Sequence, residues 1–266
     1  DSALIVDEVQ WRIPRQILQK NHYMMLDLLA NFDWDRPIYY AVTTGPDSYI
    51  NLQDHFQLEG LTYRLVPIKT TNSNPNQNGR VAADVMYRNV TEKFRWGNMG
   101  TEEPIYLDEN IIRMSTNLRL QLSTLAEELI AQDEEEKAET VLDLSVKHMP
   151  DRNIPFDRIM LPTIEAYYAV GAAEKANAIG ERLFEILDGD LEYYMSLEPR
   201  FADRMGQEMA ITHAVLERII VNAGKAGQTE LEARLKARFE VLDEAFNAKM
   251  EGMPAPTGRR NSQARF

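Results

Sequence analysis

Residues 122–150 read LSTLAEELIAQDEEEKAETVLDLSVKHMP, and this stretch decides the fold. Leu122, Leu125 and Leu129 recur at helical spacing and form one apolar face, with Ala126 as a small residue on it. The acidic run at 133–135 reads as a turn. Ala138, Leu142 and Ser145 repeat the large and small roles on a second helix, which Pro150 ends. Two helices approach closely only where side chains are small, and such a hairpin completes its core only against a neighbour.

Working outward, Met160, Ile164, Tyr167 and Gly171 lead to Ala176, Ile179 and Leu183 in the same order of roles. The string Glu136-Lys137-Ala138 recurs as Glu174-Lys175-Ala176, about 38 positions later, near the roughly 34-residue period of tetratricopeptide repeats. Two hairpins therefore resemble tetratricopeptide units; a non-repeating helical bundle is the alternative. A third unit is less regular. Residues 191–204 are interrupted by Pro199, and 207–223 with 229–248 form a final helix pair joined across Gly224 and Gly227. The Pro/Gly-rich, basic tail at 252–266 is expected to be disordered.

Before the hairpins the pattern differs. Residues 16–32 place Leu18, Met25, Leu28, Leu29 and Phe32 at helical spacing. Residues 36–43 (RPIYYAVT) and 61–68 (LTYRLVPI) read as strands, separated by a turn at 45–48, a short helix within 49–58 and a break at Gly60. The connection is short for a parallel crossover, so the strand pairing stays open. Residues 70–79 form a polar loop, 81–96 a helix, and 97–104 a second break. The expected architecture is mainly α: a small N-terminal α/β domain at 1–104, then tetratricopeptide-like helical hairpins (an α-solenoid) at 105–251, then the tail.

Bulk composition excludes several function classes. With 29 basic and 42 acidic residues the net charge is −13, which argues against nucleic acid, since phosphate binding needs a clustered basic surface. The absence of cysteine removes disulfides, thiolate metal sites and cysteine nucleophiles. The four histidines His22, His55, His148 and His213 are never three or four apart, so no helical metal pair exists. There is no phosphate-cradling glycine loop, no nucleophile elbow, and no apolar run of roughly 18 residues. The acidic run at 133–136 reads as a solvated turn, and the Asn89-Val90-Thr91 sequon falls inside an expected helix. No catalytic residue, metal ligand or cofactor site is assigned.

Two aromatic groups carry the candidate binding residues. Tyr167, Tyr168, Tyr193 and Tyr194 lie on or near the inner helices, where core packing explains them first and peptide or sugar recognition second. Trp34, Arg36 and Tyr39 sit in DWDRPIYY, residues 33–40. There Trp34 and Arg36 can stack on a ligand, or can lock a helix-to-strand corner with Arg36 paired to Asp33 or Asp35.

Residues 33–41 (DWDRPIYYA) and 56–67 (FQLEGLTYRLVP) resemble the C-terminal soluble region of a bacterial multi-pass membrane family. So do KFRWGN at 93–98, YLDEN at 106–110 and MLP at 160–162. That family was long catalogued as a domain of unknown function and is similar to protein O-mannosyltransferases. The resemblance spans about Trp11 to Met205. It implies a polytopic enzyme using a lipid-linked sugar, with catalytic acids in membrane-embedded loops that this chain lacks, so none is carried onto these residues. The start at Asp1 without methionine is expected of a fragment. The expected role is then a non-catalytic periplasmic accessory domain of a glycosyltransferase-like membrane protein. It would bind a protein partner, acceptor polypeptide or glycan, and would meet the membrane only through an upstream region. An independent periplasmic glycan-active enzyme and a purely structural assembly domain are the alternatives, and no pattern sets an oligomeric state.

Overall fold

A computed structural model describes residues 4–13, 17–70 and 77–251. Among them the chain is mainly helical with a small sheet near the N-terminus, as the residue pattern leads one to expect. It divides into two compact units, Asp1–Pro155 and Phe156–Phe266. The tail at 252–266, the core of the polar loop at 71–76 and residue 16 of the first expected helix lie outside the described residues.

The first unit holds α1 (Lys20–Ala30), β1 (Tyr39–Ala41), β2 (Phe56–Leu58), β3 (Thr62–Leu65), β4 (Arg80–Val81), α2 (Ala83–Arg88), α3 (Glu109–Ala131) and α4 (Glu135–His148). The sheet order is β1-β3-β2-β4. The first two pairings are antiparallel, and β2 runs parallel to β4. This corrects the expected helix within 49–58. Ile50 and Asn51 both take positive φ, a short 3-10 turn follows at Gln53–His55, and the chain then enters β2. The physical reason is an aromatic core. Phe56 lies 4.7 Å from Tyr40, 5.1 Å from Tyr49 and 5.5 Å from Tyr63, ring centre to ring centre. A strand delivers Phe56 and Leu58 to that one face, with Gln57 turned away. Burial pushes the Tyr40 hydroxyl up to about 12.

The helix expected over 81–96 also shortens. α2 passes into a π-helical turn at Asn89–Lys93, and Phe94 leaves it extended. The Asn89 side-chain amide donates to the Glu59 carbonyl at 2.7 Å, so the sequon asparagine is already in use. The widened turn brings Phe94 against Gly60, whose φ of 138° an L side chain rarely adopts.

The α3–α4 hairpin forms as read. Leu122, Leu125, Ala126, Leu129, Ala138 and Leu142 are fully enclosed, and the Asp108 carboxylate caps α3 by accepting from the Ile111 amide at 2.9 Å. This hairpin packs on α2 and β4, so it belongs to the same compact unit as the sheet. This compact unit runs to Pro155. Arg119 of α3, fully buried, donates to the carbonyls of Met149 at 2.8 Å, Ile154 at 3.0 Å and Pro155 at 3.3 Å. Asn153 ties the same segment back to Met99, Thr101 and Ile105.

The second unit holds α5 (Leu161–Ala169), α6 (Ala173–Ser196), α7 (Pro199–Lys225) and α8 (Thr229–Glu251). Residues 191–196 continue α6 rather than beginning a broken helix, and Pro199 stands in the first turn of α7, where its missing N–H costs nothing. The hairpin turns share one geometry across both units. α3, α5 and α7 each end on a left-handed residue, respectively Asp133, Gly171 and Gly227. The next amide reaches back five residues in each case: Glu134 to Leu129, Ala172 to Tyr167, Gln228 to Ala223, all at 2.9 Å. No described helix is long and apolar enough to cross a membrane.

Two histidines of the first unit link stability to pH. Burial, with Lys69 nearby, holds His55 below its ordinary 6.5, and burial followed by Lys147 does the same to His148, which stacks on Trp96 at 4.6 Å. The unfolded chain then binds protons that the folded unit does not. The associated stability is fully present above about pH 6.5 and is lost as pH falls toward the depressed folded values. The expected result is a lower urea midpoint at pH 5.5 than at pH 7.5, read by tryptophan fluorescence. An unchanged midpoint would contradict it.

Candidate functional site

The proposed binding residues are divided between the two units. In the first unit Trp34 takes a φ of 66° after α1 and packs on Phe32 at 4.6 Å. Arg36 is exposed and pairs with Asp35 at 3.9 Å. Tyr39 donates to the Glu59 carboxylate at 3.2 Å; burial and then the Glu59 charge raise its pKa. In the second unit Tyr167 is 1% exposed, with the Lys175 ammonium 5.7 Å from its ring centre. Tyr168 donates to Asn177 Oδ1 at 2.7 Å, and Asn177 in turn donates to Gln228 at 2.8 Å, so the hydroxyl belongs to a link reaching the α7–α8 turn. Tyr193 is 61% exposed beside Tyr194, ring centres 5.9 Å apart.

Two concavities collect side chains suited to recognition. The first, about 320 Å³ in the first unit, is walled by Trp11, Phe32 and Trp34 with Val6, Leu29 and Leu65. Three aromatic rings over an aliphatic floor suit an apolar or flat-faced group. Trp34 is the one sequence-proposed residue that lines it; Trp11 was missed, because an isolated tryptophan in an irregular segment carries no periodic signal. The positive φ of Trp34, unusual for a bulky residue, turns the indole back toward Phe32.

The second concavity, about 650 Å³, runs between α6 and α8. Phe184 and Leu235 form its apolar floor, and Glu181, Asp188, Arg234 and Arg238 its rim. The rim charges are paired across the groove: Arg234 with Glu181, and Arg238 with Asp188 at 2.8 Å and with Glu192. α5 and α7 repeat the arrangement, Arg218 donating to Glu165 at 2.9 Å. The Glu165–Arg218 and Glu181–Arg234 links each span 53 positions. An acid on one helix thus meets an arginine two helices later, twice in the same sense. These residues too were missed, because a charge on a helix surface reads as solvated until its partner helix is known. Among the described residues no three His, Asp or Glu side chains gather as a metal-holding group.

Together the fold and these surfaces define a two-unit, mainly helical protein with a groove in each unit. A family model described as TMEM260-associated domain 2 matches residues 1–85, which hold the sheet and the aromatic cleft but not α3 to α8. Comparison with curated proteins and with solved structures gave no match.

Proposed function

We propose that this chain is a non-catalytic accessory region of a glycosyltransferase-like membrane protein, exposed on its extracytoplasmic side. Its helical hairpins, a tetratricopeptide-like array, hold a protein partner, acceptor polypeptide or glycan. The observation that carries the reading is the match of residues 1–85 to a TMEM260-associated domain, in line with the resemblance of the 33–41 and 56–67 motifs. The array is supported by the shared left-handed turn after α3, α5 and α7 and by the acid-to-arginine links joining alternate helices. Within the second unit such links border the groove between α6 and α8, a surface suited to a bound chain.

The test has two parts. The isolated chain, given a lipid-linked sugar and an acceptor peptide, transfers none; transfer would overturn the proposal. In the membrane protein that carries this region, removing residues 156–266 leaves transfer to a short peptide unchanged. Transfer to a folded protein acceptor falls at least about tenfold, the loss expected when ~1.4 kcal/mol of recognition is removed. Equal losses with both acceptors would assign the region to the chemistry instead.

A further inference from the structure

A second cleft of the first unit, about 350 Å³, lies on the polar side of Trp11 and is lined by Trp11, Arg12, Asn51, Asp54, His55 and Lys69. His55 is 2% exposed, and its Nδ1 has no hydrogen-bond partner among the described residues; the Trp11 Nε1–H, equally enclosed, has none either. Buried polar atoms left without partners are rare in folded proteins and call for a specific explanation. Neither Arg12 nor Lys69 forms an ion pair among the described residues, although the chain as a whole is strongly acidic. The wall is held in an uncommon conformation. Ile50 and Asn51 are consecutive left-handed residues, the first of them β-branched, and the Asn51 amide donates to the Arg12 carbonyl at 2.8 Å. Backbone strain of this kind concentrates where a ligand is clamped.

The chemistry of the lining selects the ligand. An indole N–H only donates, and guanidinium and ammonium only donate. Against these donors stands one carboxylate, Asp54. We propose that this cleft binds a small ligand through an oxyanion, a phosphate or a carboxylate, held by Arg12 and Lys69 at the mouth and by the Trp11 indole N–H within. The proposal stands apart from the accessory role above, since it concerns only the sheet-bearing unit.

Nuclear magnetic resonance of the ¹⁵N-labelled full chain tests it. The three tryptophans, Trp11, Trp34 and Trp96, give three indole signals, assigned by Trp11→Phe. Inorganic phosphate and acetate are titrated separately against potassium chloride at matched ionic strength. Saturable movement of the Trp11 signal with phosphate, acetate or both, with none in chloride, is the expected result, and the difference between the two titrations names the source of the oxyanion. In Arg12→Gln/Lys69→Gln binding weakens at least about tenfold, while unmoved Trp34 and Trp96 signals show that the unit is folded. Asp54→Asn, which removes the opposing charge, tightens binding. Movement no greater than in chloride, or affinity unchanged in the double variant, overturns the proposal.

Discussion

Arg119→Met is expected to lower the stability of the first unit by about 3–5 kcal/mol while leaving the second unit helical. The methionine keeps the apolar stem but removes the donors that serve the carbonyls of Met149, Ile154 and Pro155. Leaving a buried acceptor unmet costs roughly 1–3 kcal/mol each, and water cannot reach these groups readily because Met149 and Ile154 are fully enclosed. Three carbonyls converge on the guanidinium, and the first, Met149, caps α4, whose last turn leaves backbone oxygens unserved. The protein offers a clean readout. All three tryptophans, at positions 11, 34 and 96, lie in the first unit, whereas far-ultraviolet circular dichroism also reports α5 to α8. The fluorescence transition should move to much lower urea, with a helical signal persisting beyond it. Arg119→Lys should recover only part of the loss, since a single ammonium cannot span three carbonyls in the guanidinium's planar fork. An Arg119→Met protein whose fluorescence midpoint matches the parent would refute the account.

Gly79→Ala is expected to be comparably damaging, by more than about 3 kcal/mol. Gly79 stands just before β4 with a φ of 61°, and a Cβ placed there would lie 1.9 Å from the Phe56 carbonyl oxygen. Backbone, not a flexible side chain, blocks the new atom, so β4 must part from β2. That breaks the parallel pairing of Gln57 with Arg80 and Leu58 with Val81. Gly97→Ala, in the same unit, is the control. Its φ of 59° is equally unfavourable for alanine, but nothing lies within 4 Å, so only the backbone term of about 1 kcal/mol remains. Denaturant midpoints of the two variants separate the steric cost from the conformational one; equal losses would mean that β4 yields freely.

The α3–α4 hairpin was legible because its signal is local. Leu122, Leu125 and Leu129 repeat at the pitch of one helix, and each is fully enclosed. The candidate surfaces were much less legible. Trp34 was singled out and does line a cleft, yet Trp11, which walls both that cleft and the polar one, gave no pattern to notice. Arg119 could have been flagged, since it stands three positions before Leu122 on the same helical stripe. A charge on a buried stripe asks for a partner, but the sequence does not say which.

By itself, then, the sequence determined what one turn or one alternation can specify. It set the helical class, the α3–α4 hairpin, the strands around Tyr40 and Tyr63, and the lack of thiol chemistry. Tertiary structure decided what depends on satisfying groups far apart in the chain. Phe56 and Leu58 suit a helix or a strand equally, and three aromatic rings from other segments made them a strand. The first hairpin joined the sheet's unit because α3 packs on α2 and β4, while Asn153, beyond α4, binds back to Met99, Thr101 and Ile105. The reason is the same in both cases. Side-chain periodicity is written in neighbouring residues, but a buried polar group or an aromatic face is satisfied only by whatever the folded chain brings to it.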